Sequence, residues 1–395
     1  MSIAGLSFLG GARWGEDLLG WGEPSSAAHP PAKVTAPPAE PPHRETIQPA
    51  EFEHQSALIL GGRQLVRYHP RTFVRMVAAL HRSVPLIALV SGEPERRAAG
   101  KLLRQVGLPA EAVRFVDLPL DTMWARDYGP LFERQSGGRA RVLDFTYRPA
   151  APLPQRPLDD DVPSALARRL HLPVAAVPLD LEGGNLLTNG EGLCVTSLSV
   201  IEANKQRGLD VAGIARLLKE HLGVHKWLCF RPLADEPTKH ADLFVTFAAP
   251  DAAVVGRCDA ASDPENAAIL DEAADMLARQ RTSRGPMRVY RIPMPPRVNG
   301  FWRTYTNVVF ANGTLVVPTF LGVDPAVQRE ALALYARLLP GWKIVPIRAD
   351  TLAAQRGSLR CVTRNVPAFV SVAPLEREAV ARATAADEII VPRFR

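Results

Sequence analysis

The most restrictive feature of this sequence is a rhythm. From residue 51 onward an amphipathic helix, a short β-branched or apolar strand and a polar loop follow one another five times. Apolar periodicity predicts helices over about 94–106, 163–171, 209–222, 264–280 and 325–338, the third with Leu209, Ile214, Leu217, Leu218 and Leu222 on one side. Each leads into a strand candidate, at 113–120, 174–180, 227–233, 289–295 and 343–350. After each strand comes one polar mark: Asp127, Glu182, His240, Asn307 and Cys361, separated by 55, 58, 67 and 54 residues. Spacing this even predicts five α/β repeats around an axis, each turning its mark toward one central place. An ordinary α/β sheet whose loops happen to carry polar residues is the alternative.

Composition bears on what such a chain does. With 47% hydrophobic and 22% charged residues over 395 positions, it has the material for a large core. The net charge of +6 is spread without any run of five like charges, which argues against a nucleic-acid or membrane footprint. Cys194, Cys229, Cys258 and Cys361 form no CxxC pair and have no neighbouring histidine ligands, so neither a zinc site nor a disulfide framework is expected. No apolar run is long enough to span a membrane. The N-terminal MSIAGLSFLGG stretch lacks a basic segment ahead of its apolar one, so a cytoplasmic location is expected, with export left open. Eight prolines between Pro24 and Pro49 predict an extended, solvated tail over residues 1–50 and one folded domain over 51–395.

The marks also make sense as chemistry. In DTMWARDYGP (121–130) an aspartate stands three residues from a tryptophan, a pairing that suits a planar cation: Asp127 for the charge, Trp124 for the face. KHADLFVTF (239–247) reads as a strand, on which His240 and Asp242 point the same way. Cys361 lies in the strand-like run SLRCVT, where Arg360 could favour its thiolate. Taken singly, each has a plain alternative: a buried small hydrophobe, a surface His–Asp pair, a structural partner for Arg126. Together they suit one reaction. Two carboxylates accept paired N–H donors from a guanidinium, Cys361 attacks its central carbon, and His240 protonates the departing ammonia and then activates water. The reaction needs no metal and no organic cofactor.

WARDYGP, LEGGN (181–185), HAD (240–242), WRTYTN (302–307), LRCVT (359–363) and the opening AEFE (50–53) together resemble the agmatine deiminase and bacterial, porphyromonas-type peptidylarginine deiminase family, over roughly residues 50–372. The resemblance implies a five-bladed, pseudo-symmetric α/β propeller of ββαβ-like units, as in the guanidino-group-modifying superfamily. It implies the same roles for Asp127, His240, Asp242 and Cys361, adds Asn307 as an active-site member, and lays the Trp124 ring against the substrate side chain. Two departures stand out. Where family members usually carry glycine before the histidine there is Lys239, with Ala241 after it; where they have a glycine-rich turn and a histidine before the nucleophile there are Arg356, Gly357, Ser358, Leu359 and Arg360. Added cations beside a cation site weaken it unless they turn away or meet a carboxylate. The segment DFTYRPAAPLPQRPLDDD (144–161) resembles the one that supplies arginines for a substrate carboxylate, which makes Arg148 and Arg156 candidates and favours peptidyl-arginine over agmatine; balance against Asp159, Asp160 and Asp161 is the plain alternative. Glu182 either holds substrate or caps the turn at Gly183 and Gly184. An amidinotransferase and a non-catalytic guanidinium binder remain as alternatives.

Overall fold

The computed structural model describes residues 47–149 and 153–375 as a mixed α/β assembly. The expected tail up to residue 46, the Ala150–Pro152 part of the arginine-bearing segment and the last twenty residues lie outside the described residues. Gln48 already donates its backbone N–H to the Leu222 carbonyl at 3.0 Å, so contacts with the fold begin just before residue 51.

Five sheets share one plan, in which an antiparallel strand pair is extended by a parallel strand reached through a helix. β1 (Gln55–Gly61) runs parallel to β2 (Leu86–Val90), across helix α1 (Pro70–Leu80). Helix α2 (Glu93–Gln105) then adds β3 (Arg114–Asp117) to the same sheet. The second sheet pairs β4 (Leu131–Arg134) with β5 (Ala140–Thr146), then β6 (Val174–Asp180) across α3 (Val162–Leu170). The third pairs β7 (Leu187–Thr188) with β8 (Leu193–Ser197), then β9 (Lys226–Phe230) across α4 (Val211–Leu222). In the fourth, β10 (Val245–Ala249) and β11 (Ala252–Arg257) are followed by α5 (Pro264–Ala278), a small hairpin of β12 (Arg281–Thr282) and β13 (Gly285–Pro286), and β14 (Arg288–Pro293). In the fifth, β15 (Val309–Ala311) and β16 (Thr314–Thr319) are joined by β17 (Lys343–Arg348) across α6 (Pro325–Leu338). The last strand, β18 (Thr363–Pro367), returns to pair antiparallel with β1, so the two ends of the described chain complete one sheet.

Local sequence explains these elements. β2 reads LIALV and is buried throughout, the continuous apolar run of a strand covered on both faces. α4, α5 and α6 begin at Asp210, Asp263 and Asp324, whose side chains each accept a hydrogen bond from a first-turn backbone N–H, and in the latter two proline follows at the first helical position. The five expected helices fall within two residues of their observed bounds. α1 escaped the sequence reading, although Phe73, Val74, Val77 and Leu80 bury one face of it. It is the crossover of the first sheet, whereas the helix expected at 94–106 is an additional one.

Two strand expectations are corrected. His240 does not lie on a strand: residues 241–243 form a single 3₁₀ turn, and β10 starts at Val245. Side chains hold that turn where a ladder would hold a strand, with the Ala241 N–H donating to Asn185 Oδ1 at 3.1 Å and Thr306 Oγ1 donating to the Asp242 carbonyl at 3.1 Å. Cys361 likewise occupies a turn, two residues before β18.

Candidate active site

The loops that follow β3, β6, β9, β14 and β17 carry the five marks, and four of them meet in one pocket. Trp124, Asp127, Glu182, His240, Asp242 and Cys361 line a cavity of about 40 Å³ together with Arg156 and Arg356. Asn307 lies directly behind it, fully buried, with its amide Nδ2 2.9 Å from Asp242 Oδ2 and 3.4 Å from Cys361 Sγ. The Asn307 carbonyl oxygen accepts the backbone N–H of Arg360 at 2.9 Å and that of Cys361 at 3.4 Å, so one amide fixes the turn, the thiol and the carboxylate.

Asp127 sits in a one-turn helix, Ala125–Tyr128, and its Oδ1 accepts the Gly184 N–H at 3.0 Å. The imidazole of His240 stands between two carboxylates, Nδ1 3.6 Å from Asp127 and Nε2 3.2 Å from Glu182. Glycine is required at 184, because a Cβ there would lie 2.3 Å from His240 Nδ1 and 2.8 Å from Asp127 Oδ1. Gly357 plays the same part under the tryptophan, whose ring carbons approach within 2.3 Å of where a Cβ would stand. Glu182 thus both accepts the Asn185 N–H at 2.9 Å through its carbonyl, closing the turn, and faces the histidine with its side chain.

Asp242 is fully buried. Its Oδ2 takes donors from Asn307 and from Arg360 Nη1 at 2.6 Å, while Oδ1 has no hydrogen-bond partner. An unpaired buried carboxylate oxygen is costly. Here it borders the pocket, where a cation's N–H groups would satisfy it. Because Oδ2 is doubly engaged, Asp242 offers a guanidinium one fresh oxygen, not the two first expected.

Arg360, expected to act on the cysteine, turns away from it. Its guanidinium bridges Asp242 and Glu51, meeting Glu51 Oε1 at 2.6 Å, and Glu51 also holds Arg126 at 2.8 Å. The Cys361 thiol gains no cation from it. Burial and the fields of Asp242 and Asp127 push the thiol well above its ordinary value. Burial pulls His240 down, but Asp127 and Glu182 more than reverse this and raise it to about 10, so the ring carries its proton at neutral pH. Burial also raises Asp127, against the pull of His240. Lys239 points outward to Glu202 at 3.2 Å. Both Lys239 and Arg356 have left-handed backbone, at φ +57° and +67°, which accounts for the glycine usual at the first and in the glycine-rich turn of the second.

Of the two arginine candidates, Arg156 lines the pocket, stacked on Tyr147 and donating to its hydroxyl at 2.5 Å. Arg148 does not: its side chain is half exposed and faces Asp180 at 3.9 Å, in a neighbouring cavity. Sequence reading missed Glu51 as a site member, although it belongs to the AEFE stretch that carried part of the resemblance. Asp127, Glu182 and His240 bring one ligand atom each within 4.8 Å of the others, the single group among the described residues that could hold a metal ion. Both ring nitrogens of that histidine already face carboxylates, an arrangement for holding a proton.

A profile of the Porphyromonas-type peptidyl-arginine deiminase family matches residues 47–367. The chain belongs to this family. Members are hydrolases acting on C–N bonds. The chain is similar to a "Putative agmatine deiminase" of Photobacterium profundum, 24% identical over 358 residues and covering 81% of this chain and 95% of the relative. A Legionella pneumophila protein of the same name is 29% identical over 268 residues, 65% of this chain and 75% of the relative. Among solved structures, the "Putative Arginine Deiminase" of Porphyromonas gingivalis superposes with a TM-score of 0.70 at 28% identity, over 81% of this chain and 98% of that one. The agmatine deiminase of Enterococcus faecalis, at TM-score 0.69 and 21% identity over 81% and 95% of the two chains, shares the fold. No helix among the described residues is long and apolar enough to cross a membrane.

Proposed function

We propose that this deiminase-family hydrolase converts the guanidinium of an arginine-like substrate to a ureido group and ammonia through a covalent bond to Cys361. The observation that carries the reading is the convergence of a buried thiol, an imidazole and two carboxylates on one pocket, with Asp242 Oδ1 left unpartnered at its wall. Five loops from five sheets supply the pocket and its backing, which supports a five-bladed propeller around it.

The cation binds between Asp127 and Asp242 with the Trp124 ring alongside. Its positive charge offsets the two carboxylate fields that hold the Cys361 thiol protonated, so on binding the thiol gives its proton to solvent and becomes the thiolate. The thiolate adds to the guanidinium carbon, and His240 gives its proton to the departing nitrogen, which leaves as ammonia. What remains is a thiouronium on sulfur. The now neutral His240 takes a proton from water as that water attacks the same carbon; collapse breaks the C–S bond and releases the ureido product.

The far end of the substrate meets Arg156 and Arg356. Two cations there favour a carboxylate or a peptide carbonyl over the ammonium of a diamine, so peptidyl-arginine ranks first; the names of the relatives support agmatine, which ranks next. Colorimetric detection of ureido product from peptidyl-arginine, free arginine and agmatine tests the reaction, with Cys361→Ala as the inactive control. Mass spectrometry after treatment with 2-chloroacetamidine is expected to find Cys361 alkylated ahead of the other three cysteines. Absence of ureido product from all three substrates with Cys361 intact sinks the reading, and transfer of the amidino group to glycine or lysine replaces it with an amidinotransferase.

A further inference from the structure

A second cavity of about 40 Å³ lies behind the catalytic pocket and shares no lining residue with it. The layer between them is made of arginine. Arg126, Arg360 and Arg364 are all at least 96% buried. Arg360 reaches Asp242 on the catalytic side and Glu51 on the other, and Arg126 reaches Glu51 and Asn365. Three guanidinium groups therefore share two carboxylates. Arg364 is the one left over: among the described residues it makes one hydrogen bond, from Nε to the Pro130 carbonyl at 2.8 Å, and no ion pair. Buried cations are ordinarily paired, and this one lines the cavity.

We infer that this rear cavity is a binding site for a small, weakly hydrated monovalent anion of halide type, held by the terminal nitrogens of Arg364. Charge sets the sign of the ligand, since Glu51 is shared between the other two arginines. Size sets its class, because about 40 Å³ admits a small ion with at most a few waters. Leu131, Phe132, Leu187 and Phe247 make one part of the wall apolar, while Gln48, Glu51, His54, Gln55, Thr188 and Asn365 make the rest polar, so an ion that gives up part of its water readily fits better than one that holds it tightly. Burial and the fields of Arg126 and Arg360 push Arg364 well below the usual arginine range, a strain that an anion relieves. Arg364 also packs against Gly183, beside the Glu182 turn, so the ion steadies the floor of the active site from behind.

Thermal unfolding of the full chain at constant ionic strength tests this, with fluoride replaced stepwise by chloride, nitrate or bromide. Weakly hydrated anions generally destabilise proteins, so the general salt effect and specific binding have opposite signs. Binding predicts a saturable rise in Tm on the order of 2 °C in bromide, lost in Arg364→Gln. A fall in Tm from fluoride to bromide, or a rise retained in Arg364→Gln, overturns the inference. Should that variant fail to fold, anomalous diffraction from bromide-soaked crystals of the unmodified protein decides: a peak within hydrogen-bond distance of the Arg364 terminal nitrogens supports the site, and water alone at that position refutes it.

Discussion

Replacing Arg360 by methionine isolates the charge layer under the active site. The methionine keeps much of the stem's volume and removes the guanidinium. Asp242, fully buried, loses its 2.6 Å partner, and Glu51 loses one of its two arginines. Breaking a buried pair from one side costs about 3–5 kcal/mol, because the charge left behind has no water to turn to. A second estimate starts from Glu51. Burial works to raise this carboxyl, but Arg126 and Arg360 more than reverse that and hold it at about 2 in place of 4.5. At neutral pH that shift is worth roughly 3 kcal/mol, shared between the two arginines. A folded pKa below the unfolded one means stability that is fully present above pH 4.5 and drains away as pH falls toward 2. Urea unfolding at pH 7 and pH 3 therefore gives an expected gap between wild type and Arg360→Met of about 3 kcal/mol at pH 7, narrower at pH 3. A gap below about 1 kcal/mol at pH 7, or one of equal size at both pH values, refutes the ion-pair account and leaves only packing of the side-chain stem.

Three further outcomes follow from the same geometry. Gly184→Ala places a methyl 2.3 Å from His240 Nδ1, so kcat is expected to fall about 100-fold or more in steady-state assays while circular dichroism is unchanged; retained activity shows that the ring is not held where it acts. Lys239→Gly relieves a left-handed backbone at φ +57° on an outward-pointing residue, and is expected to raise unfolding free energy by about 0.5–1 kcal/mol with kcat within twofold of wild type; destabilisation contradicts the backbone argument. In pH profiles, the acid limb of kcat/KM reports the free enzyme's thiol, raised well above 9 by burial and by Asp242 and Asp127, whereas the limb in kcat is expected at lower pH because the bound cation offsets those carboxylates. Coincident limbs show that the thiolate exists before substrate arrives.

How much of this was legible in the sequence depended on distance along the chain. Asp127, His240, Asp242, Asn307 and Cys361 could be picked out because each lies in the segment after a strand, and that segment is where a repeat of this kind presents its polar residue. The local conformation around two of them was not legible. A strand was expected at His240 because KHADLFVTF runs into a β-prone apolar stretch, yet a side chain from residue 185 and another from residue 306 claim the backbone groups before it. No window of neighbouring residues contains that information. Arg148 and Arg156 looked equivalent for a related reason: their roles separate only through Asp180 and Tyr147, contacts that depend on how the segment folds back.

The two departures from the family pattern have one physical theme. Lys239 and Arg360 were a concern as cations placed next to a cation-binding pocket. The fold disposes of each differently, sending Lys239 outward to Glu202 and enclosing Arg360 between two carboxylates. The second solution changes the site itself. By occupying Asp242 Oδ2, Arg360 leaves Oδ1 as that residue's free acceptor, which orients an incoming guanidinium by one oxygen and not two. It also ties the orientation of Asp242 to Glu51, 309 residues away from Arg360 in sequence and on the far side of the arginine layer. On the proposed reading, a guanidinium positions the carboxylate that receives another guanidinium, and the positive charge this adds to the centre of the molecule leaves Arg364 facing the rear cavity without a carboxylate of its own.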